Sequence, residues 1–166
     1  MSTKVIPKKN YLILIGTILL IISACFATFN IYNIYQETKI KKSVLDKKSI
    51  KFKDLGEITN DLSANTFLII GYSQNSKIYQ NEKEIKSLLK KNNLLDNVLY
   101  LDVTDIKESE TLINDINEKL KLEEGNRISS VPAVIYYNEN KVTYVKDGTV
   151  TKDDIAQIID MYNLAS

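Results

Sequence analysis

The stretch Ile128-Ser129-Ser130-Val131-Pro132-Ala133-Val134-Ile135-Tyr136-Tyr137 decides how the rest of the chain is read. A proline heads an unbroken apolar run, the place where a strand tolerates a residue with no backbone N–H to give. Residues 133–137 therefore predict a strand and residues 142–145 a second. Asn138-Glu139-Asn140 between them is short enough for an antiparallel hairpin. Upstream, Thr66-Phe67-Leu68-Ile69-Ile70-Gly71 is apolar without alternation, as expected of a strand buried on both faces. Residues 97–103 predict another strand and residues 49–53 a short one. Helical spacing marks residues 77–91 through Ile78, Ile85, Leu88 and Leu89, and residues 108–122 through Leu112, Ile113, Ile116 and Leu120. A short helix fits residues 54–62. Thr151-Lys152-Asp153-Asp154 has the form of a capping box, followed by Ile155, Ile158, Ile159 and Tyr162 as a buried face.

The order β-α-β-α-β-α-β-β-α, with two parallel crossovers and a closing hairpin, is an α/β layout: a central mixed sheet flanked by helices. Right-handed crossovers leave few other ways to build it. The stretch from Ile128 to Tyr137, with Val142 and Gly148 behind it, resembles the C-terminal half of thioredoxins. That resemblance implies a thioredoxin-like fold over residues 49–166 and a cis bond between Val131 and Pro132 at the head of the fourth strand. Taken alone, the residues also allow an ordinary trans proline opening an edge strand. Over residues 50–162 the layout is similar to small membrane-linked thioredoxin-like proteins of Gram-positive bacteria, among them those called bacteriocin transport accessory proteins.

Thioredoxin chemistry needs two thiols, two residues apart, at the start of the first long helix. The helix N-terminus lowers the pKa of the first, and the second resolves the mixed disulfide. This chain has one cysteine, Cys25, and no histidine. After Gly71 comes Tyr72-Ser73-Gln74-Asn75-Ser76-Lys77-Ile78. One alignment sets Ser73 and Ser76 at the thiol positions, and a shifted one sets Asn75 and Ile78 there. Neither supplies a cysteine, so thiol–disulfide exchange of the usual kind is excluded by residue type. A serine nucleophile would need an adjacent base, and Lys77 is the sole local candidate. As a first-turn residue it is expected to point to solvent, and the serines and asparagine are expected to cap the helix. No catalytic residue is therefore assigned. The resemblance implies instead a groove of Tyr72, Ser73, Ser76, Val131 and Pro132, where an extended peptide pairs with the backbone. The acidic groups Asp102, Asp105, Glu108 and Asp147, Asp153, Asp154 lack the spacing of a calcium loop, and no glycine loop cradles a phosphate. No metal and no cofactor are expected.

Lys and Arg total 22 against 21 Asp and Glu, a net charge of +1 that argues against nucleic acid as a partner. Residues 11–32 carry no charge, and roughly 20 apolar residues match the hydrocarbon thickness of a bilayer. Tyr11, Tyr32 and Tyr35 are placed as interfacial anchors. The chain is thus expected to have a short basic head (residues 1–10, with Lys4, Lys8 and Lys9), a transmembrane signal anchor (11–32) and a polar stalk (33–48), a solvated tether before the domain. Ile22-Ser23-Ala24-Cys25 also resembles a bacterial lipobox, in which Cys25 would be acylated; the apolar continuation from Phe26 favours the uncleaved anchor. Lysines on both sides of the span leave the positive-inside rule without a vote, while the short head favours a domain outside the cytoplasm. The expected function is a redox-inactive accessory or binding module at the cell membrane, facing an exported peptide or a membrane complex. The alternatives are a structural subunit with the groove unused and a thiol–disulfide protein relying on a partner's cysteines.

Overall fold

The computed structural model describes residues 8–39, 41–58, 62, 64–73 and 76–165. The chain divides after Lys39 into two units. In the first, helix α1 spans Lys8–Thr38. Its stretch Lys9–Gln36, 28 residues, is long and apolar enough to cross a membrane. At 1.5 Å per residue it exceeds the bilayer's hydrocarbon thickness of about 30 Å. Apolar side chains such as Leu12, Phe26 and Ile31 are exposed along it. Thr17 and Thr28 donate their hydroxyls to the carbonyls of Ile13 and Ala24, so these polar groups are satisfied within the helix. The helix runs beyond the expected span at both ends, taking in residues 33–38 of the expected stalk. Residues 1–7, with Lys4, lie outside the described residues.

The second unit is a five-stranded mixed sheet in the order β1-β3-β2-β4-β5. The strands are β1 (Ser49–Ile50), β2 (Asn65–Gly71), β3 (Val98–Asp102), β4 (Ala133–Asn138) and β5 (Lys141–Asp147). β1, β3 and β2 are parallel, and β4 runs antiparallel to both β2 and β5. Helices α2 (Leu55–Ile58) and α3 (Ser76–Lys91) make the two crossovers; α4 (Leu112–Lys119) leads to β4, and α5 (Lys152–Met161) closes the chain. This strand order, with these directions and crossovers, is the thioredoxin-like fold.

Alternation along the strands sorts the core into two halves. Phe67, Ile69, Tyr100, Val134 and Tyr136 meet Ile85 and Leu89 of α3 and Ile155, Ile158 and Ile159 of α5. Leu68, Ile70, Leu101, Ala133 and Ile135 meet Leu55 of α2 and Leu112, Ile116 and Leu120 of α4. α3 and α5 therefore cover one face of the sheet, and α2 and α4 the other.

Several boundaries differ from the sequence-based expectation. The strand expected at 49–53 stops at Ile50, because a 3-10 turn at Phe52–Asp54 leads into α2. The expected short helix at 54–62 shrinks to Leu55–Ile58, and residues 59–61 lie outside the described residues. The helix expected from 108 begins at Leu112. Ile78, expected on a buried face, is 38% exposed, since it sits in the first turn of α3 and packs against neither core cluster. The hairpin loop is the two-residue pair Glu139-Asn140, both with positive φ (49° and 64°), which is type I′ geometry and matches the twist of the flanking strands. Thr151 and Asp154 form the expected capping box, each side chain bonded to the other residue's backbone N–H.

Residues 41–48 are not a free tether. Leu45 is 2% exposed within the α3/α5 half of the core. Val44 donates its N–H to the buried carboxylate of Glu82 on α3 at 3.3 Å and accepts the Lys86 ammonium at 2.8 Å. The Lys47 ammonium pairs with Asp96 at 3.0 Å. The folded body thus begins near residue 41, ahead of the expected start at 49.

Candidate functional site

The site lies where β2 runs out and α3 begins. Ile70 faces Ala133 in the last pair of the β2–β4 ladder. Gly71 and Tyr72 continue from Ile70, and Val131 and Pro132 lead into Ala133, so both segments leave the same end of the sheet. Both Tyr72 and Val131 are half-buried against the α2/α4 half of the core. Ser73 follows Tyr72, and Ser76 opens α3. The fold therefore sets the five residues singled out in the sequence, Tyr72, Ser73, Ser76, Val131 and Pro132, on the segments that leave one end of the sheet. Gln74 and Asn75 lie outside the described residues. The Val131–Pro132 bond is cis.

Gly71 is needed here for space. A Cβ at this position would come within 2.6 Å of the Tyr100 hydroxyl, which is buried under the end of β2. Burial pushes that phenol's ionisation well above the usual tyrosine range.

Three polar anchors hold the loops that form the site. The Ser73 N–H donates to the Thr104 hydroxyl at 2.7 Å. The Thr104 hydroxyl and N–H in turn donate to the Asp102 carboxylate. The start of the helix is thereby tied to the end of β3. On the other side, Ser129 gives both its N–H and its hydroxyl to Asp147 at 2.6 Å each. Those bonds hold the Asp147 carboxyl below the usual carboxylate range. Behind the loop, the buried Asn117 side chain accepts the Ile128 N–H and donates to the Ile128 carbonyl, both at 2.9 Å. Among the described residues, no hydrogen bond engages the N–H or the carbonyl of Val131 between these clamps.

Sequence reasoning missed these anchors. Asp102 and Asp147 stand in the acidic groups set aside as unlike a calcium loop, and each orders a loop beside the site. Asn117 carried a usable signal: it follows Ile116 on the apolar stripe of α4, where a polar residue must bury its amide on a partner. Thr104 carried none, because its role depends on the β3 end meeting Ser73.

No family model matches the chain, and no curated protein matches it. Among solved structures, it is similar to thioredoxin f2 of Chlamydomonas reinhardtii at 8% identity, with a TM-score of 0.49, over 72% of this chain and 98% of that one. It is also similar to the oxidised thioredoxin of Plasmodium falciparum at 11% identity, with a TM-score of 0.44, over 69% and 96%. Thioredoxin O2 of Arabidopsis thaliana is similar at 13% identity, with a TM-score of 0.43, over 70% and 95%. The fold assignment itself rests on the strand order, directions and crossovers described above.

The groups gathered at the site are hydroxyls, a phenol ring and backbone amides. Lys107 lies over the Tyr72 ring at 5.3 Å and pairs with Glu108 at 3.5 Å. Cys25, the chain's one thiol, belongs to α1 in the other unit. Hydroxyls can donate and accept hydrogen bonds but cannot form a disulfide. Among the described residues the backbone N–H and carbonyl of Val131 are left open to hydrogen bonding.

Proposed function

We propose that this chain is a membrane-anchored, thioredoxin-like binding or accessory module that works without thiol chemistry and holds an extended peptide at the cell surface. The observation that carries the reading is the unengaged backbone of Val131, which packs on the same half of the core as Tyr72, in a chain with no cysteine at either Ser73 and Ser76 or Asn75 and Ile78. Strand addition needs that backbone edge and no cysteine. The α1 stretch Lys9–Gln36 supplies the anchor in this reading, with the domain outside the cytoplasm. There the partner is an exported peptide or a protein of a membrane complex. A contact of this size alone gives an affinity of about micromolar order, which tethering at the membrane makes useful.

Photo-crosslinking tests the reading. A photoreactive phenylalanine analogue at Tyr72 or Val131 of the full chain is expected to capture a peptide or protein, and the same analogue at Asn114 on α4 is not. Capture from Asn114 with Tyr72 and Val131 silent would overturn the groove and leave a structural subunit. The purified chain is also expected to leave insulin reduction by dithiothreitol at its uncatalysed rate. Acceleration that persists in Ser73→Ala/Ser76→Ala would overturn the thiol-free reading.

A further inference from the structure

Helix α3 is the basic element of the folded unit. On α3, Lys83, Lys86 and Lys90 follow one another at helical spacing, with Lys91 beside them, and Lys41 joins them from the preceding segment. Lys41 and Lys83 converge on a single ring, with their ammonium groups 5.3 and 5.0 Å from the centre of Tyr79. Among the described residues, Lys41, Lys83, Lys90 and Lys91 have no carboxylate partner. Glu84 is the exposed acid on this helix. In and around α4, on the opposite face of the sheet, acids outnumber bases, with Asp105, Glu108, Glu110, Asp115 and Glu118 against Lys107, Lys119 and Lys121.

Two like charges drawn to one aromatic ring repel each other, and an anion shared between them relieves that repulsion. Lysines around a half-buried tyrosine also suit the headgroup layer of a bilayer, where long stems lie on apolar surface and charged tips reach phosphate. Lys41 follows the last residue of α1, Thr38, by three positions. If α1 spans the bilayer, the chain itself keeps Lys41 within about 11 Å of the end of that helix. We propose that the α3 face centred on Tyr79, with Lys41, Lys83, Lys90 and Lys91, docks on anionic lipid headgroups and turns the acidic α4 face away from the membrane. The proposal rests on α1 being the anchor.

The test uses the full chain in nanodiscs of phosphatidylcholine, with and without phosphatidylglycerol, carrying a gadolinium chelate on a fraction of the headgroups. Amide signals of residues 83–91 are expected to broaden strongly in the anionic discs, while those of residues 112–119 stay sharp. About 0.5 M salt should largely reverse the effect, because the Debye length then falls to a few ångströms. Lys83→Glu/Lys90→Glu/Lys91→Glu should abolish it, and the matching glutamine variant should leave an intermediate effect. Equal broadening of α3 and α4, or α3 broadening that is the same in both lipids and indifferent to salt, overturns the docking face while leaving the anchor in place. Shifts of the α3 signals with soluble polyglutamate and not with the anionic discs would assign the face to an acidic protein. A chain that fails to co-elute with either disc overturns the anchor and this inference together.

Discussion

The Tyr137 hydroxyl is buried without a hydrogen-bond partner among the described residues, and burial alone pushes its ionisation up to about 12. An orphaned hydroxyl in a core costs its desolvation and returns nothing. Tyr137→Phe is therefore expected to be neutral or stabilising, by up to about 1 kcal/mol, in denaturant unfolding at neutral pH. The alkaline limb gives a sharper reading. The unfolded tyrosine loses its proton near 10.0 and the folded one near 12, so stability is full below pH 10 and falls as pH rises through that interval. The Phe variant should show a shallower loss there. Tyr100, raised further by burial, still contributes its own slope. An unchanged alkaline limb in Tyr137→Phe would mean that this hydroxyl meets water in the folded protein.

At the scale of elements, α3, α4 and α5 end alike. Asn93, Lys121 and Asn163 take positive φ (55°, 52° and 51°), and the next N–H reaches back five residues, to the carbonyls of Leu89, Asn117 and Ile159. Asparagine tolerates that conformation and advertised two of these stops. Lysine does not, so Lys121→Gly is expected to raise stability by about 0.5–1 kcal/mol in the same assay. Asn117 matters to the site through α4. Asn117→Ala would leave the Ile128 N–H and carbonyl buried and unpaired, a loss of roughly 2–4 kcal/mol. Hydrogen exchange at the Ile128 amide should accelerate locally, before global unfolding. Asn117→Asp keeps the acceptor but sets a carboxylate against the Ile128 carbonyl, and should be at least as damaging. The strands and crossovers were legible because unbroken apolar runs such as 66–71 have one plausible environment. The start of α4 was not, because Glu108 to Thr111 satisfy helical spacing yet form turns, with the Thr111 hydroxyl spent on Asp115.

At the scale of the whole molecule, the division into an apolar N-terminal helix and a folded unit was legible in the sequence, since it depends on a long uncharged run. The junction was hidden. Val44 and Leu45 are two apolar residues among lysines, too few to show a period, and their burial depends on Glu82 and Lys86 some forty positions away. A reading by composition therefore set the domain to start at 49, whereas the structure starts it near 41. The consequence is measurable. A chain begun at residue 41 is expected to unfold cooperatively, with a single transition seen by circular dichroism and by tyrosine fluorescence. Beginning at 49 removes the Leu45 side chain from the α3/α5 core, strips Glu82 of the Val44 N–H, and leaves the Lys86 ammonium without its carbonyl. Leu45→Ala isolates the first of these losses and should cost about 2–5 kcal/mol, the range for emptying a buried leucine site. The chain begun at 49 should lose at least as much, because the loss of the Val44 hydrogen bonds to Glu82 and Lys86 adds to the cavity. Equal stability of the chains begun at 41 and 49 would return residues 41–48 to the role of a solvated tether. It would also remove Lys41 from the basic face beside Tyr79, so the junction and the lipid-docking surface share that residue.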